Sequence, residues 1–102
     1  MMNKYSEHTA RILLRAISLI GNYRDGKASL RYLVDSLEGS VKSLEEQLPN
    51  IFYDDWYSHW GELEAILALG EETQRGKEIL EELNAMETLI GKYTVNAHNN
   101  ES

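Results

Sequence analysis

The chain contains no cysteine, one proline, one phenylalanine and no apolar run approaching membrane-spanning length. Without cysteine there are no disulfides and no thiolate metal sites, and the composition fits a reducing compartment. A spanning helix needs ~18 or more consecutive apolar residues. The start, MMNKYSEHTARILLRAISLI, stays charged and polar through position 11 before a short apolar run. It reads as neither a cleavable signal peptide nor a membrane anchor, so a cytoplasmic protein with no membrane partner is expected. Basic residues are also scarce and unclustered. Ten Lys and Arg stand against seventeen Asp and Glu, a formal charge of −7. Phosphate backbones repel such a chain, so nucleic acid is not an expected partner. No GxSxG, phosphate-binding glycine loop or HExxH is present, nor β-branched alternation, a hairpin dipeptide or an internal repeat.

What is present is helical period. A chain of 102 residues makes one domain, with its helical part expected over 1–93 and a polar, flexible tail over 94–102. A first helix is expected from 6 to about 20, capped by Ser6 or Thr9, with Gly21-Asn22 as its stop. Leu30, Leu33, Val34, Leu37, Val41, Leu44 and Leu48 repeat at intervals of three and four, predicting a second helix over about 27–48 that Pro49 ends. A third helix opens between Asn50 and Asp55, with Asn50 or Asp54 as cap, and runs to Leu69, where Gly70 punctuates it. Thr73 can cap a fourth that carries Ile79, Leu83, Met86, Ile90 and Tyr93. The expected fold is all-α, a small antiparallel bundle of about four helices, with Gly39 and the region of Asn50 as places for further breaks. Its predicted core is Ile12, Leu13, Ile17, Leu33, Leu37, Val41, Leu44, Trp56, Leu63, Leu67, Leu83, Met86 and Ile90.

The aromatics concentrate in PNIFYDDWYSHW, residues 49–60, which holds both tryptophans and the phenylalanine. At 3.6 residues per turn, Phe52, Trp56, Leu63, Ile66 and Leu67 share one arc with Trp60 at its edge. Tyr53, Tyr57 and Glu64 lie on the next arc, then Gly61 and Asp54, while Asp55, Ser58 and Glu62 take the remaining polar side. A core stripe bordered by tyrosines and then by acids is the pattern of an interface helix, because Tyr offers apolar area with a polar tip. The plainer reading is that both tyrosines close the rim of the core. Asp54, Asp55, Glu62 and Glu64, with Glu78, Glu81 and Glu82 of the fourth helix as a second patch, are the candidate partner-binding acids beside Tyr53 and Tyr57.

His59, with Asp55 one turn before and Glu62 one turn after, is the nearest approach to a catalytic or metal-binding group. A di-iron bundle needs two Glu-x-x-His pairs, and neither exists. The expected reading is a half-buried histidine paired with Asp55, with no catalytic residue, metal or cofactor.

The run LVDSLEGSVKSLEEQLPNIFYDDWYSHWGELEAILALG, roughly residues 33–70, resembles the small helical immunity proteins encoded beside bacterial contact-dependent growth inhibition toxins. The chain is also similar in kind to the colicin immunity proteins, acidic helical domains with tyrosines beside carboxylates. The resemblance implies a cytosolic non-enzyme that binds and neutralises one cognate toxin domain, often a nuclease; the free chain is expected to be a monomer. A nuclease cleft must be basic to hold phosphate, so an acidic surface would meet complementary potential there. Three other classes stand beside this one: a helical regulatory module with a different protein partner, an enzyme or metal site built on His59, and a homodimer that uses the aromatic patch on itself.

Overall fold

The computed structural model describes residues 5–99, with side chains up to residue 94. It contains four helices and no strand among them: α1 (Glu7–Arg24), α2 (Leu30–Lys42), α3 (Asn50–Ala68) and α4 (Gly76–Asn99). Each helix packs on its chain neighbours and α1 closes the ring on α4, so the α1–α2 and α3–α4 pairs form opposite faces. Cross-contacts give the directions. His59 meets Glu82 while Phe52 meets Tyr93, Trp60 meets Val34 while Tyr53 meets Leu48, and Tyr5 meets Tyr93 while Tyr23 meets Glu72, so consecutive helices run antiparallel.

The core is the predicted set of stripes, with a few displacements. Leu13, Leu33, Leu37, Val41, Trp56, Leu63, Leu83, Met86 and Ile90 are all buried, joined by Phe52, Ile66, Ile79 and Leu89. Ile17, Leu44 and Leu67 are only partly buried against this cluster, and Ile12 instead lines a groove between α1 and α2.

The helix ends differ from the sequence expectations for identifiable reasons. Ser6 caps α1 as expected, accepting from the Thr9 amide at 3.1 Å. The Gly21-Asn22 stop is corrected: α1 continues to Arg24, because Ile20 is fully buried and Tyr23 packs on the core. The chain then turns at Gly26, φ 77°, with Gly26 N–H donating to Tyr23 O and Lys27 N–H to Asn22 O. Those two bonds form a Schellman motif, which needs a residue that tolerates positive φ. Gly70, φ 68°, ends α3 in the same way, through Gly70 N–H to Leu67 O and Glu71 N–H to Ile66 O.

The second helix is shorter than its periodicity suggests. It begins after Ser29, whose hydroxyl accepts from the Tyr32 amide, and ends at Lys42 rather than at 48. Ser40 and Ser43 hydroxyls donate to the carbonyls of Ser36 and Ser40, side-chain competition that weakens a helix end. Beyond it, Leu48 still buries completely, while Glu46 reaches across to α1. Tertiary anchoring on both sides of Gln47 therefore overrides the helical pattern.

The α3 cap expectation is also corrected: Pro49 holds the cap position without a side-chain bond, and Asn50 is the first helical residue. Proline suits this place, since it ends the preceding segment and the N–H it lacks would be unpaired in a first turn. Thr73 lies in a turn and does not cap α4; Arg75 takes that position, its carbonyl accepting from Ile79 N–H at 3.0 Å. The fourth helix passes the expected end at Tyr93 and reaches Asn99, into the stretch read as tail, and residues 100–102 lie outside the described range.

Candidate protein-binding surface

Beyond Pro49, the aromatic segment forms about the first three turns of α3 and divides as the helical projection requires. Phe52 and Trp56 are fully buried and stacked, with centroids 5.8 Å apart and planes 19° apart. Tyr93 of α4 meets Phe52 edge-on at 5.1 Å, and Tyr5, ahead of α1, lies 6.1 Å from Tyr93. One aromatic cluster thus ties the start of the chain, the start of α3 and the later turns of α4 together. Tyr5 lies outside every periodic stripe and joins only through tertiary contact.

Tyr53 and Tyr57 are half-buried and packed on the core. Tyr53 stands edge-on to Phe52 and its hydroxyl accepts from the Leu48 amide at 3.4 Å, while Tyr57 stands edge-on to Trp60. Trp60 in turn donates from Nε1 to the Val34 carbonyl at 2.9 Å, pinning α3 to α2. Both tyrosines therefore close the core rim, leaving part of each ring beside the acids.

The acids fall into two groups. Asp54, Asp55, Glu64 and Glu81 are exposed and form no ion pair among the described residues. The others are engaged by side chains of this chain. Arg75 makes a two-pronged bond to Glu78 at 2.7 and 2.9 Å, reaches Glu71 at 3.1 Å and approaches Glu62 at 3.8 Å. The Glu78 bond, followed by Glu71, holds the guanidinium even further above its ordinary range, and the same bond holds the Glu78 carboxyl below its own. Glu82, one turn beyond Glu78 on α4, is also engaged.

Its partner is His59, with Nδ1 and Oε1 2.7 Å apart; against an ionised carboxylate the ring nitrogen is the donor. The expected His59–Asp55 pairing is corrected: His59 leans toward α4, so a neighbour across the helix pair wins over one on its own helix. Among the described residues no three His, Asp or Glu side chains gather as a metal-ligating group. No helix among them is long and apolar enough to cross a membrane.

Charge is divided between the two faces of the bundle. Residues 5–49 hold six acids and six bases, whereas residues 50–99 hold ten acids and three bases. Nearly all of the net charge thus sits on α3, α4 and their connection. Exposed apolar side chains accompany it: Ile51 at 61%, Leu69 at 65% and Leu80 at 45%. A surface of unpaired carboxylates with scattered apolar area attracts a basic partner over a Debye length and offers it desolvated contact on arrival. No family model, curated protein or solved structure matches the chain.

Proposed function

We propose that this chain is an immunity-type protein that binds and neutralises a cognate toxin domain, covering a basic surface with its α3–α4 face. The carrying observation is the separation of charge: Asp54, Asp55, Glu64 and Glu81 stay unpaired on the face that holds the net charge. In a bundle with cations available to pair them, these acids are left open to an external cation. A nuclease cleft is the kind of basic surface that fits, since it must hold phosphate. The half-buried Tyr53 and Tyr57 provide the apolar body beside the acids, held by the core so that little side-chain freedom is lost on contact.

The test is a paired capture and rescue. Wild-type protein and the variant Asp54→Lys, Asp55→Lys, Glu64→Lys, Glu81→Lys serve as baits in host lysate, and each captured protein is expressed with either form. A basic protein held only by the wild type, whose growth arrest only the wild type relieves, is the expected result. A partner retained equally by both forms, or a captured protein that is harmless alone, contradicts the reading.

A further inference from the structure

The opposite face of the bundle carries a feature that the acidic surface does not explain. Between α1 and α2 lies a groove enclosing about 290 Å³, floored by Ile12 and Leu19, with Tyr32 at one end and Gly39 and Ser40 along the α2 wall. A second hollow of about 460 Å³ adjoins it, sharing Ile12 and Arg15 and adding Arg11 and Leu14. Tyr32 is 57% exposed and Leu14 36%, so substantial apolar area faces outward here. Gly39 leaves the α2 wall low: a Cβ placed there would meet nothing within 4 Å.

The cations of this face set it apart. Arg24 and Arg75 are both bound by carboxylates, but Arg11, Arg15 and Arg31 are exposed and form no ion pair among the described residues. Asp35, one turn from Arg31, does not take it up, and Glu38 engages Lys42 instead. Arg15 lines the groove itself, and Arg11, one turn before it on α1, lines the adjoining hollow.

We propose that the α1–α2 groove docks an acidic amphipathic helix from a protein partner, at a site separate from the α3–α4 face. Ile12 and Leu19 call for a narrow apolar stripe, the serines of the α2 wall leave room for a close helix approach, and the unpaired guanidiniums of Arg15 and, in the adjoining hollow, Arg11 call for carboxylates along one flank of that stripe. From Tyr32 to Ser43 the α2 wall spans roughly 16 Å at 1.5 Å per residue, so about three turns of helix fill it.

Three synthetic peptides of roughly 14 residues test this, each with the same leucine stripe and with glutamate, glutamine or lysine along its flank. They are titrated into the full chain and followed by amide chemical shifts. The glutamate peptide is expected to move Ile12, Arg15, Leu19, Tyr32 and Ser40, with the glutamine peptide at least about tenfold weaker and the lysine peptide inactive at these amides. Arg11→Glu with Arg15→Glu should weaken the glutamate peptide by about tenfold or more at an unchanged unfolding midpoint, since both side chains are exposed. Gly39→Leu should block it by filling the groove. Equal binding of the glutamate and glutamine peptides would overturn the proposal, as would shifts confined to α3 and α4 or none at about 1 mM peptide. It also fails if a short DNA duplex produces the same shifts at equal affinity, or if sedimentation shows a self-dimer that the peptide disperses.

Discussion

Two tryptophans one turn apart on α3 should respond to the same substitution in opposite order of their burial. Trp56 is fully buried, yet its Nε1 finds no acceptor among the surrounding protein groups. Trp60 is only half-buried, but its Nε1 donates to Val34 O at 2.9 Å. Trp56→Phe removes roughly 40 Å³ of ring, which at ~24 cal/mol per Å³ of residual cavity costs about 1 kcal/mol, with some lost transfer energy besides. It also removes a buried unpaired donor, whose desolvation penalty is about 1–3 kcal/mol. The two effects oppose each other, and the net change should fall within about 1 kcal/mol of zero.

Trp60→Phe has no such compensation. It loses a hydrogen bond worth about 1 kcal/mol together with the packing of its outer ring on Tyr57, so it should be the costlier of the two. Urea unfolding followed by far-ultraviolet circular dichroism reads both, at an unchanged denaturant slope. Trp56→Ala, at about 3–5 kcal/mol, checks that the site is buried at all. A loss above about 3 kcal/mol for Trp56→Phe, near 12–24 °C in midpoint for a domain of this size, would rule out this balance of cavity and unpaired donor. That result would mean the indole nitrogen is satisfied and the ring's shape is essential.

Other expectations follow from the same contacts. Burial first, then the bond and charge of Glu72, raise the Tyr23 phenol from 10.0 to about 12. A raised folded value stabilises fully below pH 10 and is lost as pH climbs through about 12, so Tyr23→Phe should flatten the alkaline unfolding limb, read against the ultraviolet tyrosinate titration. At the other end of the scale, the Thr9 hydroxyl and then the Ser6 amide hold the Glu46 carboxyl below its ordinary 4.5. Its contribution is present above that value and lost as pH falls through the depressed one, so Glu46→Gln should reduce the acid sensitivity of the thermal midpoint. Gly61 is helical and a Cβ there meets nothing within 4 Å, so Gly61→Ala should stabilise by about 0.5–1 kcal/mol in the same urea assay.

The stripes of apolar residues were legible because period alone decides which face of a helix turns inward, and Leu33, Leu37, Trp56, Leu63 and Met86 are buried as their spacing requires. The ends were legible only where local chemistry governs them. Ser6 caps α1 and Gly70 closes α3 through bonds within six residues. They failed where a distant partner intervenes: the end of α2 depends on Glu46 reaching Ser6, forty positions away. The candidate surface shows the same division. Exposed Asp54, Asp55, Glu64 and Glu81 follow from the helical projection, whereas the engagement of Glu82 by His59 and the gathering of Glu62, Glu71 and Glu78 around Arg75 belong to the α3–α4 crossing. Nothing in local sequence distinguishes a paired acid from a free one.

That distinction makes the rate of association the most direct measurement of the proposed function. With the captured partner in hand, stopped-flow association is recorded across ionic strength for the wild type and for the Asp54, Asp55, Glu64 and Glu81 reversal to lysine. Four reversals of two units each move the formal charge from −7 to +1. Wild-type association should fall steeply with salt, because steering is screened over about 8–10 Å, and the variant should associate more slowly with a nearly flat salt dependence. Unchanged rates and an unchanged salt slope in the variant would contradict it.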